Sequence, residues 1–173
     1  NCYQIYNEKG QTIGTIKQKL TTGQKILRLF LGKPMLPFLL EINNSEDKLQ
    51  ATISRGWTFF MSKITIKNAN GDTVGYIKQK FQLLKPKFII CDAFENQIAE
   101  ISGDWKAWNF KISDSNSNQI GTISKKWAGA MQEIFTSADK YHVNIESNFD
   151  KLENKVAIIA GAITIDMVLK ESK

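Results

Sequence analysis

Apolar and polar residues alternate along most of the chain, and turn-forming residues interrupt the alternation at short intervals. The pattern Thr12-Ile-Gly-Thr-Ile-Lys-Gln-Lys19 recurs closely at Thr73–Lys80 and Gln119–Lys126, and loosely at Leu49–Arg55 and Gln97–Gly103. Each copy follows a stretch rich in Asn, Asp, Gly or Ser, and a short alternating segment precedes each of these stretches. Because this arrangement is typical of antiparallel hairpins, the sequence predicts five β-hairpins in series. The five preceding segments are Tyr3–Tyr6, Phe38–Ile42, Ile64–Ile66, Phe88–Cys91 and Trp108–Ile112.

The last apolar segment has a different pattern. Val156–Leu169 is apolar on every side and carries one charge, Asp166, between Lys155 and Lys170. Its length favours a helix over a strand. At 1.5 Å per residue it spans about 21 Å, short of the ~30 Å hydrocarbon core of a bilayer. The segment therefore predicts a helix buried in protein, and Asp150 and Glu153 have the spacing of a capping box before it.

The faces of the strands indicate what surrounds this helix. In each repeat, one face presents a small residue, an Ile, a variable residue and a large apolar residue, as in Gly75, Ile77, Gln79 and Phe81. We expect the small residue to let the helix approach the sheet. The predicted fold is mainly β: a closed antiparallel up-and-down barrel of about 12 strands wrapped around a central hydrophobic C-terminal helix.

Eleven strands are visible in the sequence, because Tyr141–Ile145 follows the five hairpins. We expect a twelfth strand either before Asn1 or within Lys25–Leu31. The chain is predicted to form a single domain over residues 1–173 that lacks its N-terminal start, since Asn1 lies almost inside a strand pattern. Two cysteines without a CxxC motif exclude a disulfide scaffold and favour a reducing compartment.

Charge is unevenly distributed. Residues 1–90 hold 14 Lys and Arg against 5 Asp and Glu, a net +9, whereas residues 91–173 hold 9 against 12, a net −3. A basic half favours an anionic partner, although a merely solvated surface has the same composition. Nucleic acid is the weaker candidate, since aromatic residues are not interleaved with the basic face.

Catalytic chemistry is not indicated. His142 is the one histidine, and alternation places it on the polar face of its strand beside Asn144. No Cys or carboxylate is placed to complete a nucleophile pair, and no phosphate-binding loop occurs. We predict that the protein is not an enzyme and that it requires no cofactor.

Three segments resemble the phospholipid scramblase family. They are Gln119-Ile-Gly-Thr-Ile-Ser-Lys-Lys-Trp-Ala-Gly129, Glu133-Ile-Phe-Thr-Ser-Ala-Asp-Lys-Tyr141 and Ala160-Gly-Ala-Ile-Thr-Ile-Asp166. Scramblases are similar in Gly-Lys-Ile-Ser-Lys-x-Trp, in Glu-Ala-Phe-Thr-Asp-Ala-Asp and in an apolar C-terminal helix carrying Ile-Asp. Ile101–Trp105 and Asn109–Ile112 also resemble the related LURP-one-related proteins. The resemblance implies a tubby-like fold.

The resemblance also implies a calcium segment, which matches Ser137–Asn148. Asp139 is retained and is the metal candidate, but Ser137 and Asn148 stand where the family has Asp, and Ca²⁺ takes about 6–8 oxygen ligands. The segment also alternates like a strand, which we favour over a calcium site. In the helix, the resemblance draws attention to Gly161 and to Asp166, which we expect to pair with Lys170.

Outward-facing basic residues indicate the partner. Equivalent positions in two hairpins supply Lys17, Lys19, Lys78 and Lys80, and Lys85 and Lys87 follow, with Arg28 in a stretch of large apolar residues. We expect these residues to bind an anionic phospholipid membrane surface. The predicted function is therefore non-enzymatic: a cytoplasmic, peripherally membrane-associated scramblase-related protein that binds anionic phospholipids and promotes their transbilayer movement. The alternative is a soluble LURP-one-related module that binds a ligand or protein partners.

Overall fold

The computed structural model describes residues 2–20, 36–57, 63–80, 87–104, 106–124, 132–136, 140–146 and 152–171. These residues form twelve strands and one C-terminal helix. In chain order they are β1 (Cys2–Tyr6), β2 (Thr12–Lys19), β3 (Phe38–Asn44), β4 (Leu49–Arg55), β5 (Lys63–Asn68), β6 (Thr73–Lys80), β7 (Lys87–Asp92), β8 (Gln97–Asp104), β9 (Asn109–Asp114), β10 (Gln119–Ser124), β11 (Gln132–Thr136), β12 (Lys140–Ile145) and α1 (Leu152–Glu171). The mainly β class and the C-terminal helix are confirmed.

All strand pairs are antiparallel. Consecutive strands pair from β1 to β10; β10 then pairs with β12, and β11 lies between β12 and β1. Each strand thus has two hydrogen-bonded neighbours, and the sheet closes on itself. The up-and-down order is broken only where β11 and β12 are interchanged.

The prediction of which segment forms the twelfth strand was wrong. The strand comes from Gln132–Thr136, not from a segment before Asn1, and Lys25–Leu31 lies outside the described residues. In the sequence Gln-Glu-Ile-Phe-Thr, the two apolar residues are adjacent rather than alternating, so the period-two pattern does not reveal this strand.

The five hairpins have the same type of turn. In the first, the Asn7 side-chain oxygen accepts hydrogen bonds from the backbone N–H groups of Lys9 and Gln11, each 3.0 Å long, and the intervening Gly10 has φ +71°. Asn44, Asn68, Asp92 and Asp114 make the same two bonds in the other hairpins. The second strand of each hairpin then carries a bulge, because the register shifts by one residue there.

The small residue of each repeat follows this bulge. Gly14, Ala51, Gly75, Ala99 and Gly121 are all buried, as predicted, but the role of the three glycines differs from the expected one. A Cβ on Gly75 would lie 2.5 Å from the Cys91 carbonyl oxygen, so the backbone of the neighbouring strand, not the helix, requires the glycine. The large apolar position also departs from expectation at Trp57, which is 53% exposed instead of filling the barrel end.

The helix is surrounded by protein, as predicted. Eight consecutive residues, 160–167, are buried, and eight residues cover every direction around a helix. The helix lies close to the sheet at Gly161, where a Cβ would lie 2.7 Å from Ile101 Cδ1. The observed helix of 20 residues is longer than the apolar segment, and Asp150 lies outside the described residues.

Candidate membrane-facing surface

The predicted lysines that the structure describes lie on the outside of two separate parts of the sheet. Lys17 and Lys19 are on β2, Lys78 and Lys80 on β6, and Lys87 on β7. Since β3, β4 and β5 lie between β2 and β6, and neighbouring strands are about 4.8 Å apart, the two groups are separated by roughly 19 Å along the sheet. They do not form one continuous basic face.

The lysines on β2 are matched by carboxylates. Lys17 Nζ lies 2.8 Å from Asp47 Oδ1, and Lys19 Nζ lies 3.1 Å from Glu41 Oε2. The hydrogen bond between Lys17 and Asp47 raises the pKa of the lysine and lowers the pKa of the aspartate. This part of the surface is therefore close to neutral overall.

Four lysines come together on β5–β7, and we call them the lysine cluster: Lys63, Lys78, Lys80 and Lys87. Lys63 faces Lys78 across β5 and β6, and Lys80 faces Lys87 across β6 and β7. Like charges directly opposite each other are destabilising unless a counter-charge lies between them. The contacting carboxylates are Glu95, 2.5 Å from both Lys63 and Lys78, and Glu100, 2.7 Å from Lys87. Among the described residues, the cluster thus keeps an excess of two positive charges.

Glu95 reaches the cluster from the turn between β7 and β8. It occupies the left-handed position of that turn, with φ +67°, while Asp92 holds the turn closed through its side chain. Hydrogen bonds from Lys63 and Lys78 lower the pKa of Glu95 to about 2, and the bond to Glu95 raises the pKa of Lys78. Lys63 also lies over the ring of Tyr76, 4.0 Å from its centroid, which adds a cation–π contact.

The same turn presents an aromatic side chain to solvent. Phe94, next to Glu95, is 86% exposed. The equivalent positions of the other four turns hold polar residues: Lys9, Glu46, Asn70 and Asn116. An exposed aromatic residue beside a basic cluster is a combination that suits the interface of an anionic bilayer.

Sequence reasoning missed Lys63 and Phe94. Lys63 could have been found, because Lys63-Ile-Thr-Ile-Lys67 alternates and places both lysines on the outer face. Phe94 is placed near the cluster because its neighbour Glu95 bonds to Lys63, 32 positions away, which no local pattern reveals.

Asp166 lies in the core and is fully buried. It accepts hydrogen bonds from the hydroxyls of Tyr3, at 3.0 Å, and of Tyr141. The expected pair with Lys170 cannot be placed, since the Lys170 side chain lies outside the described residues. The aspartate therefore joins α1 to β1 and β12, two strands that β11 separates.

Three further site predictions fall outside the described residues: Lys85, Arg28 and Asp139. Within the part of the chain that the structure describes, no three His, Cys, Asp or Glu residues are grouped to hold a metal ion. The prediction that His142 is exposed was wrong, because it is 8% exposed and buried between β10 and β11, opposite Ser124 and Glu133. Alternation along a strand predicts which face of the sheet a side chain lies on, but not whether neighbouring side chains bury it there.

No helix among the described residues is long and apolar enough to cross a membrane. The fold and the outer surface define a class: a β-protein whose core is a buried C-terminal helix and whose exterior carries a basic cluster. The chain belongs to the scramblase family, whose family model, Scramblase, matches residues 1–172. This confirms the resemblance.

Named relatives agree with the family assignment. The chain is 29% identical over 119 residues to human phospholipid scramblase family member 5, covering 65% of this chain and 44% of the relative. It is 28% identical over 153 residues to human phospholipid scramblase 1, covering 80% and 48%. It is 22% identical over 206 residues to altered inheritance rate of mitochondria protein 25 of Saccharomyces cerevisiae, covering 96% and 63%. The chain spans about half the length of the curated relatives it matches. No solved structure matches the chain significantly.

Proposed function

We propose that this protein binds anionic membrane phospholipids through the lysine cluster and Phe94, without enzymatic chemistry, and that it promotes their transbilayer movement. A scramblase-related function follows from the family; the binding surface and the lipid movement are the proposal. The observation that carries it is the cluster itself, in which four outward lysines on adjacent strands meet two carboxylates.

The geometry suits a peripheral contact. Lysines attract the negative surface of an anionic leaflet, and a neighbouring apolar side chain enters the headgroup region. Phe94 stands at a turn tip next to Glu95, which contacts Lys63 and Lys78, and we propose that Phe94 and these two lysines meet the same membrane surface. We further propose a peripheral position on the cytoplasmic side of a membrane, supported by the free thiols of Cys2 and Cys91.

We also propose that residues 1–173 constitute one tubby-like domain. The support is the ring of strand pairs around a helix that is buried on every side. We further propose that calcium does not bind at Asp139, because Ser137 and Asn148 replace charged ligands. Calorimetric titration at micromolar calcium is the test, and a tight-binding isotherm would contradict this proposal.

The experiment compares two variants of equal net charge by flotation with phosphatidylserine-containing liposomes. The cluster variant changes Lys63, Lys78, Lys80 and Lys87 to Gln. The control changes four exposed lysines elsewhere to Gln: Lys9, Lys48, Lys106 and Lys111. We expect the cluster variant to lose at least about tenfold in binding at low salt and the control to lose much less. Equal binding by the two variants would show that only total charge matters.

The alternative is a soluble LURP-one-related module that binds a ligand or a protein. It is supported by the ion pairs of Lys17 and Lys19, which neutralise two of the seven predicted basic residues. Binding of the parent to liposomes that does not change between 0.1 and 1 M salt, where the Debye length falls from ~10 to ~3 Å, or no binding at all, would favour this alternative. Transbilayer movement is then measured separately, with labelled lipid in proteoliposomes.

A further inference from the structure

A cleft of about 440 Å³ lies between the first turns of α1 and the turn-bearing ends of β1–β6. This volume is within the range of about 300–1,000 Å³ that is typical of small-molecule sites. The helix side is formed by Lys155, Val156 and Ile159. The sheet side is formed by the apolar residues Ile5, Ile13, Ile42, Ala51 and Val74, with Gly14 and the polar residues Asn43, Asn44, Gln50 and Asn68.

The bulges of the hairpin repeat build the sheet side. On β2, Gly14 faces Ile5 and Thr12 faces Tyr6, so Ile13 is the extra residue. Val74 is the extra residue on β6 in the same way. A bulge turns its extra side chain away from the direction that alternation would give it. Here the extra Ile13 and Val74 side chains line the cleft.

The helix contributes apolar side chains that the sheet leaves uncovered. From Ala157 to Met167, Ile159 is the one residue that is not fully buried, and Val156 is also half-buried. Both line the cleft opposite Ile13 and Val74. Two facing apolar walls open to solvent favour an apolar occupant, since each buried CH₂ group contributes about 0.8 kcal/mol.

A charged residue in the lining indicates the chemistry of the other end of the ligand. Lys155 is the cation among the residues that line the cleft, and none of those residues is an Asp or Glu. We propose that the cleft binds a long-chain fatty acid, with its alkyl chain between α1 and the bulged strands and its carboxylate at Lys155. This site goes beyond the proposed membrane contact and does not use the lysine cluster.

The test follows a dansyl-labelled undecanoate by fluorescence, with palmitate as the competitor. We expect saturable binding to the parent and displacement by palmitate. Val74→Trp fills the cleft and is expected to weaken binding at least about tenfold. Ile98→Trp is the matched control, because Ile98 is the extra residue of the β8 bulge but does not line the cleft. Lys155→Glu is expected to weaken binding comparably, and Lys106→Glu to leave it unchanged.

Absence of saturable binding to the parent, or equal binding by Val74→Trp and Ile98→Trp, overturns the proposal. Should Val74→Trp melt far below the parent, photolabelling of the parent with a diazirine-bearing palmitate decides instead: labels on Val74, Val156 or Ile159 support the site, and labels elsewhere overturn it. The lysine-cluster variant is expected to bind the probe like the parent. Failure of the membrane contact and failure of the cleft are therefore distinguishable.

Discussion

The Tyr3 hydroxyl donates a hydrogen bond of 3.0 Å to Asp166 Oδ2, across 163 positions of the chain. Tyr141 donates to the other carboxylate oxygen, so one buried side chain of α1 holds both β1 and β12. A buried carboxylate without donors would be strongly unfavourable. The two tyrosines thus make the helix position and the strand positions depend on each other.

Tyr3→Phe is expected to destabilise the fold by about 1–3 kcal/mol, because it removes a hydrogen bond to the buried carboxyl group of Asp166 while keeping the ring. Urea unfolding measures this as a lower midpoint with an unchanged slope. Tyr76→Phe is the control on the outer face, with an expected change within about 0.5 kcal/mol. Equal effects of the two changes would contradict the role of Asp166.

Gly75→Ala is expected to destabilise the protein by about 1–3 kcal/mol, because its Cβ would meet the Cys91 carbonyl oxygen at 2.5 Å. Gly56→Ala is the matched change, since a Cβ there meets nothing within 4 Å. We expect Gly56→Ala to be neutral or stabilising by about 0.4–1 kcal/mol. Thermal melting of the two variants compares them directly, and a Gly75→Ala protein that melts like the parent would refute the close approach.

Acid is expected to reduce stability through Glu95. Its pKa in the folded protein is about 2, below the ordinary value of 4.5, because Lys63 and Lys78 donate to it. A lowered folded pKa means that the contribution is fully present above pH 4.5 and is lost as the pH falls toward 2. The loss is expected to be small, since Glu95 is solvent-exposed. Unfolding of the parent and Glu95→Gln between pH 6 and 2 measures it: the stability difference between them is expected to shrink with acid, and a constant difference would contradict the ion pairs.

Phe94→Ser is expected to weaken binding to anionic liposomes by about tenfold, because it removes one apolar side chain from the contact. Asn116→Ser, at the equivalent position of the β9–β10 turn, is the control and is expected to have no effect. Neither change is expected to alter the melting temperature, as both turns are held by their Asp side chains. Equal liposome binding by the two variants would show that Phe94 does not contribute to the membrane-binding surface.

Local pattern was sufficient to predict the hairpins, since each depends on alternation and on an Asx residue at the turn. Leu49–Arg55 and Thr73–Lys80 are observed with their predicted bounds. Burial of the middle of α1, residues 160–167, was also predictable, because the segment Val156–Leu169 has no polar face. Contacts between residues far apart in the sequence could not be predicted from local pattern. The pairing of β11 with β1, the burial of His142 and the ion pair of Glu95 with Lys63 all depend on tertiary neighbours. The lysines that the structure describes were correctly placed outside, but their counter-charges could not be paired from sequence.

The position of β11 has a consequence for synthesis on the ribosome. β1 emerges first, yet its second neighbour is made roughly 126 residues later, when Gln132–Thr136 appears. At about 5–20 residues per second, this interval is roughly 6–25 s. During that time the nascent sheet β1–β10 has two unpaired edges and no helix inside it, a state in which exposed strands associate with other chains. Nascent chains of this protein are therefore expected to depend on chaperones that bind during translation, until β11, β12 and α1 have been made.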